Sequence, residues 1–192
     1  MTRAAGFTLI AAAAALLAGC STSPKPQLAE APPPAPVSGL PYLWTLGNAP
    51  QAHKDMVATF GKVGLKPGQY MWVSSIPSEG ETRVIIDRLT QMGYVYKGDK
   101  LIGVATVSTA RQGHITPLGE WKILEKRPFY RSKKYDNAPM PWMERIDEYG
   151  IALHGGGTPG YPESHGCIHL PNKFAEKLYG LTKIGTKVVI EG

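Results

Sequence analysis

The sequence has few of the residues that build disulfides and metal centres. Of its 192 residues, only two are cysteine and five are histidine. It contains neither Cys-x-x-Cys nor His-Glu-x-x-His, which are spacings typical of common zinc sites. Gly-x-Ser-x-Gly, the nucleophile elbow of many serine hydrolases, is also missing. These absences argue against a common zinc fold and against a serine hydrolase of that type.

Acidic residues are outnumbered by basic ones, 15 to 21, which gives a net charge of +6 and a pI near 9.3. The Lys and Arg residues form no dense stripe interleaved with aromatics, so nucleic acid is not a predicted partner. The charge predicts a solvated basic surface, with attraction to an anionic polymer or a membrane as the alternative. A hydrophobic content of 43% is enough to build a core, and the length suggests one domain with appendages.

No apolar run approaches the roughly 20 residues that a membrane-spanning helix needs. The run over residues 7–17 follows Arg3 and has about the length of a signal-peptide core. It leads into Leu-Ala-Gly-Cys at 17–20, which resembles the bacterial lipobox. The small residues before Cys20 and the polar residues after it favour lipidation over an ordinary cleaved secretory signal. We therefore predict a lipoprotein signal peptide over residues 1–19 and a lipid anchor on Cys20.

A proline-rich stretch follows the predicted anchor, with seven prolines between residues 24 and 41. Such composition favours extended polyproline conformations at about 3 Å per residue. We predict residues 20–41 to be a semi-rigid tether, and a proline-rich ligand for another domain is the alternative. Ser21 after the cysteine resembles the signal for sorting to the outer membrane. The predicted location is therefore periplasm-facing, lipid-anchored to the bacterial membrane, and specifically to the outer membrane.

Short β-rich runs separated by Gly and Pro dominate the rest of the chain. The predicted strands cover residues 70–73, 82–86, 93–96, 101–108, 121–124, 150–153 and 187–191. A tight turn at 97–100 predicts a hairpin. Apolar residues at helical spacing predict short helices over 49–63 and 172–181. The pattern is typical of a mostly β barrel or sandwich with one or two short helices and no internal repeat.

Cys167 is the best candidate for chemistry, because it lies in Ser-His-Gly-Cys-Ile-His-Leu at 164–170. A thiol reacts as its thiolate, and an ordinary cysteine is only a few per cent ionised at neutral pH. A neighbouring imidazole can take the proton and lower the thiol pKa. His154, His165 and His169 are the candidates for that base.

Geometry favours His154 among these histidines. If residues 164–170 are extended, His165 and His169 share a face with Cys167, but each lies two positions away along the strand. His154 ends another predicted strand and is followed by three glycines, so it can approach the thiol directly. Two alternatives remain open. Cys167 is a small buried hydrophobe beside satisfied histidines, or it joins the three histidines in a zinc site of uncommon spacing.

Three further segments extend the pattern around Cys167: Thr-Pro-Leu-Gly-Glu-Trp at 116–121, residues 135–143, and Gly-Tyr-Pro at 160–162. Together with His-Gly at 154–155 and Ser-His-Gly-Cys at 164–167, they resemble the L,D-transpeptidase (YkuD-type) catalytic domain family. The likeness is to a lipoprotein-anchored branch with a short spacing between histidine and cysteine. It covers residues 67–192 and leaves 42–66 as an N-terminal extension with a short helix.

The resemblance implies an L,D-transpeptidase-like β-barrel or sandwich and a role for each matching residue. Cys167 would be the nucleophile, His154 the general base and the Gly155 carbonyl the group that orients the imidazole. Oxyanion and substrate-binding roles fall on His165, Gly166, Ser164, His169, Tyr135 and Trp142. The chain departs from the family at His169, which stands where Arg or Asn is usual, and at residues 110–111, where the family commonly has Gly.

The family's reaction implies that peptidoglycan stem peptides are the partner and that no metal or organic cofactor is needed. The thiolate attacks the carbonyl at the L-centre of diaminopimelate in a tetrapeptide stem, D-Ala leaves, and aminolysis of the thioester gives a 3→3 cross-link. Carbapenem acylation of Cys167 is also expected. The acceptor could instead be water, a free D-amino acid or a protein lysine. A non-catalytic peptidoglycan-binding lipoprotein is the remaining alternative. The sequence makes no prediction of oligomeric state.

Overall fold

The computed structural model of the chain describes residues 1–2 and 42–192. Cys20, the proline-rich tether and all but the first two residues of the predicted signal peptide lie outside the described residues. Within the described part of the chain, no helix is both long and apolar enough to cross a membrane.

The described residues form two helices and ten short strands. In chain order these are α1 (Asn48–Phe60), β1 (Tyr70–Trp72), β2 (Thr82–Asp87), β3 (Met92–Lys97), β4 (Lys100–Thr106), β5 (Gly119–Lys122), β6 (Glu125–Arg127), β7 (Met143–Arg145), β8 (Ala152–Gly155), β9 (Ile168–Leu170), α2 (Asn172–Leu181) and β10 (Lys187–Glu191). The prediction of a mostly β fold with two short helices is confirmed.

Helix α2 and strand β10 have the predicted bounds, whereas α1 ends earlier than predicted. Gly61 adopts φ 63°, a left-handed conformation, and its N–H donates to the Val57 carbonyl at 2.9 Å. A glycine in this conformation ends a helix. Met56 is buried, whereas its neighbour Val57 is exposed, since adjacent helical residues point about 100° apart.

The first sheet has six strands in the order β1-β4-β3-β2-β10-β5. Strands β2, β3 and β4 form an antiparallel meander that includes the predicted hairpin, and β10 closes on β2 in parallel. Both faces of this sheet are buried. Val84 and Ile86 of β2 pack into one apolar cluster, and Ile85 between them packs into another. Successive residues of β2 thus enter opposite apolar clusters, which explains why its apolar residues are nearly continuous in sequence.

Helix α1 covers one face of the first sheet through Ala49, Ala52 and Met56. Its N-terminus has no side-chain cap of its own. Glu191 at the end of β10 supplies the acceptor instead, with carboxylate oxygens 2.9, 3.1 and 2.8 Å from the N–H groups of Leu46, Asn48 and Ala49. A carboxylate is favoured there, because the first N–H groups of a helix have no intrahelical partner.

The second sheet has four strands in the order β6-β7-β8-β9 and packs against the other face of the first sheet. The inner core between them, which also includes α2, contains Leu153, Ile168, Phe174 and Leu178. Strands β6 and β7 were not predicted, and β9 was considered only as part of an extended segment over 164–170. Each is only three residues long, and β6 is charged throughout, so neither β6 nor β7 shows an apolar period that predicts a strand.

Candidate active site

The parallel pairing of β8 with β9 brings the two predicted catalytic segments together. The register places Leu153 opposite Ile168 and His154 opposite His169. Leu153 and Ile168 are fully buried in the inner core, so His154 and His169 point to the other face of the second sheet. Cys167 directly precedes β9 on this side and packs against a small cluster that includes Ala152 of β8.

Cys167 lies in a turn held by hydrogen bonds rather than in a strand. The Ser164 hydroxyl donates to the Cys167 carbonyl at 2.5 Å and accepts the Gly166 N–H at 3.0 Å. Thr116 donates its hydroxyl to the Gly166 carbonyl at 2.7 Å. Gly166 has φ 135°, and a Cβ there would lie 2.6 Å from the Ile151 side chain, so only glycine fits. The expectation of an extended segment over 164–170 therefore holds for residues 168–170 alone.

His154 is a buried, oriented and neutral imidazole. Its Nδ1 donates to its neighbour's carbonyl, Gly155 O, at 2.9 Å, so Nε2 carries the free lone pair. Burial lowers the pKa of His154 to about 4. Gly155 is itself enclosed, since a Cβ there would lie 3.1 Å from Pro141 and closer still to Asn172. The imidazole is thus fixed in the tautomer that can accept a proton at Nε2.

The thiol of Cys167 is half-buried and is not paired with His154 in this conformation. Its Sγ lies 3.7 Å from the Gly150 carbonyl oxygen, and the side chain packs against Met140, Met143 and Ala152. Burial raises the pKa of the Cys167 thiol. A lowered thiol pKa was expected, so that expectation is wrong for this resting geometry, because an apolar surrounding disfavours the thiolate.

His169 occupies the space beside His154, with ring centroids 4.8 Å apart. The Glu163 carboxylate lies 3.7 Å from His169 Nδ1, and burial holds the pKa of His169 below its ordinary value. A Cβ on Gly156 would lie 3.1 Å from the His169 ring. His169 is therefore packed tightly against the base rather than displayed at the surface.

His165 is exposed and stacks on Tyr135 with ring centroids 4.3 Å apart and planes 21° apart. Its Nε2 lies 2.7 Å from Arg111 Nη2. The Trp142 ring packs instead against Phe129 and Tyr179, at centroid distances of 6.1 and 5.5 Å. Of the two aromatic residues predicted to bind substrate, Tyr135 contacts the nucleophile turn through His165, whereas Trp142 packs against Phe129 and Tyr179.

Several residues at the site were missed by sequence reasoning or given no role. Met140 and Met143 belong to the cluster that Cys167 packs against, Glu163 faces His169, and the Thr116 hydroxyl donates to the nucleophile turn. Thr116, Met140 and Met143 carried a signal, since each lies in one of the family-like segments, whereas Glu163 lies in none of them. Among the described residues, no group of three or more His, Cys, Asp or Glu could hold a metal ion, so the zinc alternative has no ligand set there.

Comparison with known proteins gives the family to which the chain belongs. The family model of the L,D-transpeptidase catalytic domain, YkuD, matches residues 81–190, which is more than half of the chain. The chain belongs to the L,D-transpeptidase catalytic domain family. All the residues described above that surround Cys167 and His154 lie within the matched region of this L,D-transpeptidase domain.

Individual proteins are also similar to this chain. YqjB of Bacillus subtilis strain 168, named as a proposed L,D-transpeptidase, is 28% identical over 129 residues, covering 59% of this chain and 73% of YqjB. A crystal structure of an L,D-transpeptidase from Stackebrandtia nassauensis has a TM-score of 0.54 and 28% identity, covering 62% of this chain and 58% of that one.

A more distant L,D-transpeptidase, from Mycobacterium tuberculosis H37Rv, shares the fold with a TM-score of 0.55 at 20% identity, covering 58% of this chain and 57% of that one. The chain thus spans less than two thirds of the length of these two solved structures.

Proposed function

We propose that this protein is a peptidoglycan L,D-transpeptidase in which Cys167 is the nucleophile and His154 the general base. One observation carries the proposal. Within a fold of this family, a half-buried thiol precedes β9 on the face of the sheet where β8 presents a neutral imidazole with a free Nε2 lone pair. A nucleophile beside an oriented base is the arrangement that covalent acyl transfer requires.

Acylation begins when the Cys167 thiol breaks its hydrogen bond to the Gly150 carbonyl and forms one to His154 Nε2. Nε2 takes the thiol proton as Sγ attacks the carbonyl at the L-centre of diaminopimelate in a tetrapeptide stem. The C–N bond to D-Ala breaks, the same proton passes to the leaving nitrogen, and a thioester remains on Cys167. The Gly155 carbonyl accepts the Nδ1 hydrogen bond throughout and stabilises the transient imidazolium.

The turn around Cys167 supplies the oxyanion contact. The Gly166 N–H is occupied by Ser164 Oγ, so we assign this contact to the backbone N–H of Cys167 rather than to that of Gly166. Ser164 thereby acts on the shape of the turn. His165 and Tyr135 line the substrate side, His169 packs against the base, and Trp142 packs beside Phe129 and Tyr179.

An amine of a second stem then attacks the thioester with His154 as base and gives a 3→3 cross-link. Water at this step would make the protein an L,D-carboxypeptidase, and a free D-amino acid would give exchange. No metal or organic cofactor takes part. Residues 67–192 form the catalytic domain, and 42–66 the N-terminal extension. Cys20 carries the lipid anchor, and residues 20–41 hold the domain in the periplasm, facing the wall from the outer membrane.

Incubation with purified disaccharide tetrapeptide, followed by mass spectrometry, tests the proposal. Cross-linked dimer and released D-Ala are the expected products of the wild-type protein, and Cys167→Ala should give neither. Tripeptide without dimer would reassign the chain to hydrolysis. A wild-type protein that binds sacculi as well as Cys167→Ala does, yet releases no D-Ala, would be a non-catalytic wall-binding protein.

A further inference from the structure

Arg111 is fastened to the turn that carries the nucleophile. Its N–H donates to the Ser164 carbonyl at 3.0 Å, and the preceding residue, Ala110, forms a bridge with Ser164. Ser164 in turn holds the Cys167 carbonyl. The backbone position of Arg111 is therefore coupled to that of the thiol by two successive hydrogen bonds.

The guanidinium of Arg111 is also held at its tip. Nη2 lies 2.7 Å from His165 Nε2. Because a guanidinium can only donate, Nε2 accepts, and His165 is the neutral tautomer with its proton on Nδ1. Tyr135 stacks on one face of the His165 ring at 4.3 Å, and His114 meets the ring edge-on at 4.8 Å. These aromatic contacts hold the His165 ring in place, and the ring in turn holds the Arg111 guanidinium through the hydrogen bond at Nε2.

This exposed arginine has no anionic partner of its own. No carboxylate within the described part of the chain forms an ion pair with Arg111, and the exposed Asp136 acts on His165 only through its charge. Lys134, whose Nζ lies 5.5 Å from the Tyr135 ring centroid, adds a second positive group at the same edge. One donor of five is used by His165, so the guanidinium can still grip a carboxylate with two parallel bonds.

The proposed donor carries carboxylates close to the bond that Cys167 would attack, and these could bind the Arg111 guanidinium. The residue that leaves in an L,D-transfer ends in a carboxylate one residue beyond the attacked carbonyl, about 3.8 Å along the chain. Diaminopimelate itself carries a second free carboxylate on its side chain. Either group is anionic at neutral pH, and both belong to the stem that Cys167 would attack.

We propose that Arg111, positioned by His165, forms a carboxylate-binding subsite for the donor stem peptide. The inference rests on the proposed function. It assigns recognition of the donor's charge to a residue outside the segment 164–170, and it gives His165 a role as a positioning residue that presents the guanidinium.

Donor peptides with one carboxylate amidated at a time identify the contact. Arg111→Gln should lower kcat/KM for the unmodified tetrapeptide about 10- to 100-fold, since a charge-assisted bidentate contact is lost. Amidation of one of the two carboxylates should lower kcat/KM of the wild-type protein by a similar factor. On that amidated donor, kcat/KM of Arg111→Gln should be no lower than its kcat/KM on the unmodified tetrapeptide. If only the C-terminal amide lowers kcat/KM, Arg111 binds the carboxylate of the leaving residue. If only the side-chain amide does so, Arg111 binds the side-chain carboxylate of diaminopimelate. Equal losses on all three donors, or no loss, would overturn the subsite.

A second measurement needs no transferase activity. Iodoacetate carries a carboxylate and iodoacetamide does not, so the ratio of their alkylation rates at Cys167 reports a nearby carboxylate-binding cation. Arg111→Gln should lower this ratio about fivefold, the size expected for unit charges about 4 Å apart in a dielectric close to that of water, since the guanidinium is exposed. Arg111→Lys should recover part of it. Arg127→Gln, which removes the same charge from the edge strand β6, is the matched control and should leave the ratio unchanged.

Together the two measurements distinguish failure of the Arg111 subsite from failure of the proposed transpeptidase reaction. A protein that turns over no donor but shows the fivefold change keeps the Arg111 subsite and loses the proposed reaction. An iodoacetate to iodoacetamide ratio that is the same for wild type and Arg111→Gln would overturn the subsite, whether or not the reaction occurs.

Discussion

Replacing His154 by alanine should separate the resting ionisation of Cys167 from its catalytic reactivity. In the structure the pKa of His154 is lowered to about 4 and that of Cys167 is raised from an ordinary value of 9.0. Burial thus disfavours both the thiolate and the imidazolium, so the ion pair is the less stable form of this pair in the resting protein. Attraction between the two charges offsets only part of this penalty, because desolvation acts on both groups.

The neutral thiol and the neutral imidazole are therefore the main forms in the resting protein. The wild-type thiol should be alkylated by iodoacetamide with a pH midpoint above that of an ordinary cysteine, since burial raises its pKa. His154→Ala should move this midpoint by less than one pH unit, because the base does not ionise the thiol at rest. The same variant should slow D-Ala release from tetrapeptide about 10²- to 10⁴-fold, because it removes the proton acceptor from the transition state.

Alkylation rates from pH 5 to 10, followed by intact-protein mass, give the midpoint, and His154→Asn serves as a second variant in case the alanine protein is unstable. Native His154 should also keep D-Ala release active down to about pH 5, since the base is protonated only near its pKa of about 4. A wild-type midpoint below pH 7 that rises by two or more units in His154→Ala would show a preformed ion pair and refute this reasoning.

Three further predictions concern the turn and the scaffold. Ser164→Ala, which removes the hydroxyl bound to the Gly166 N–H and the Cys167 carbonyl, should slow D-Ala release by less than the loss of the base does, while urea denaturation shows a loss of about 1 kcal/mol. Glu191→Gln should lower the free energy of unfolding by about 3 kcal/mol, since Glu191 is fully buried at the N-terminus of α1, whereas Glu120→Gln, at an exposed ion pair, should cost under about 1 kcal/mol. Burial raises the pKa of Glu144 to about 7, above its unfolded value of 4.5. The folded state therefore binds more protons between these two pH values, so the free energy of unfolding should fall as pH rises from 4.5 to 7. A Glu144→Gln protein whose free energy of unfolding declines as steeply over this range would contradict this.

Much of the scaffold could be predicted from the sequence because its apolar periods are clear. Strand β10 and helix α2 were predicted with their bounds, and the hairpin between β3 and β4 follows from the turn at Gly98. The two strands that were missed, β6 and β7, are short and depend on tertiary pairing: β6 is a charged edge strand, and β7 is defined by its neighbours in the second sheet. Local propensity carries no information about such pairings.

The residues of the site could be named from the sequence, but their electrostatics could not. The resemblance pointed to Cys167, His154 and Gly155, and the pairing of β8 with β9 brings their segments together. The direction of the Cys167 pKa shift depends on burial against Met140 and Met143, which lie far away in sequence. The contact between Arg111 and His165 likewise requires two loops to meet, and no spacing rule predicts it.

Intact-protein mass spectrometry after exposure to a carbapenem tests the central claim most directly. We expect one covalent adduct on the wild-type protein, mapped by digestion to Cys167, none on Cys167→Ala, and labelling of His154→Ala slowed at least about 100-fold. An unlabelled wild-type protein, or equal labelling of the His154→Ala protein, would contradict the assignment of an activated thiol and its base.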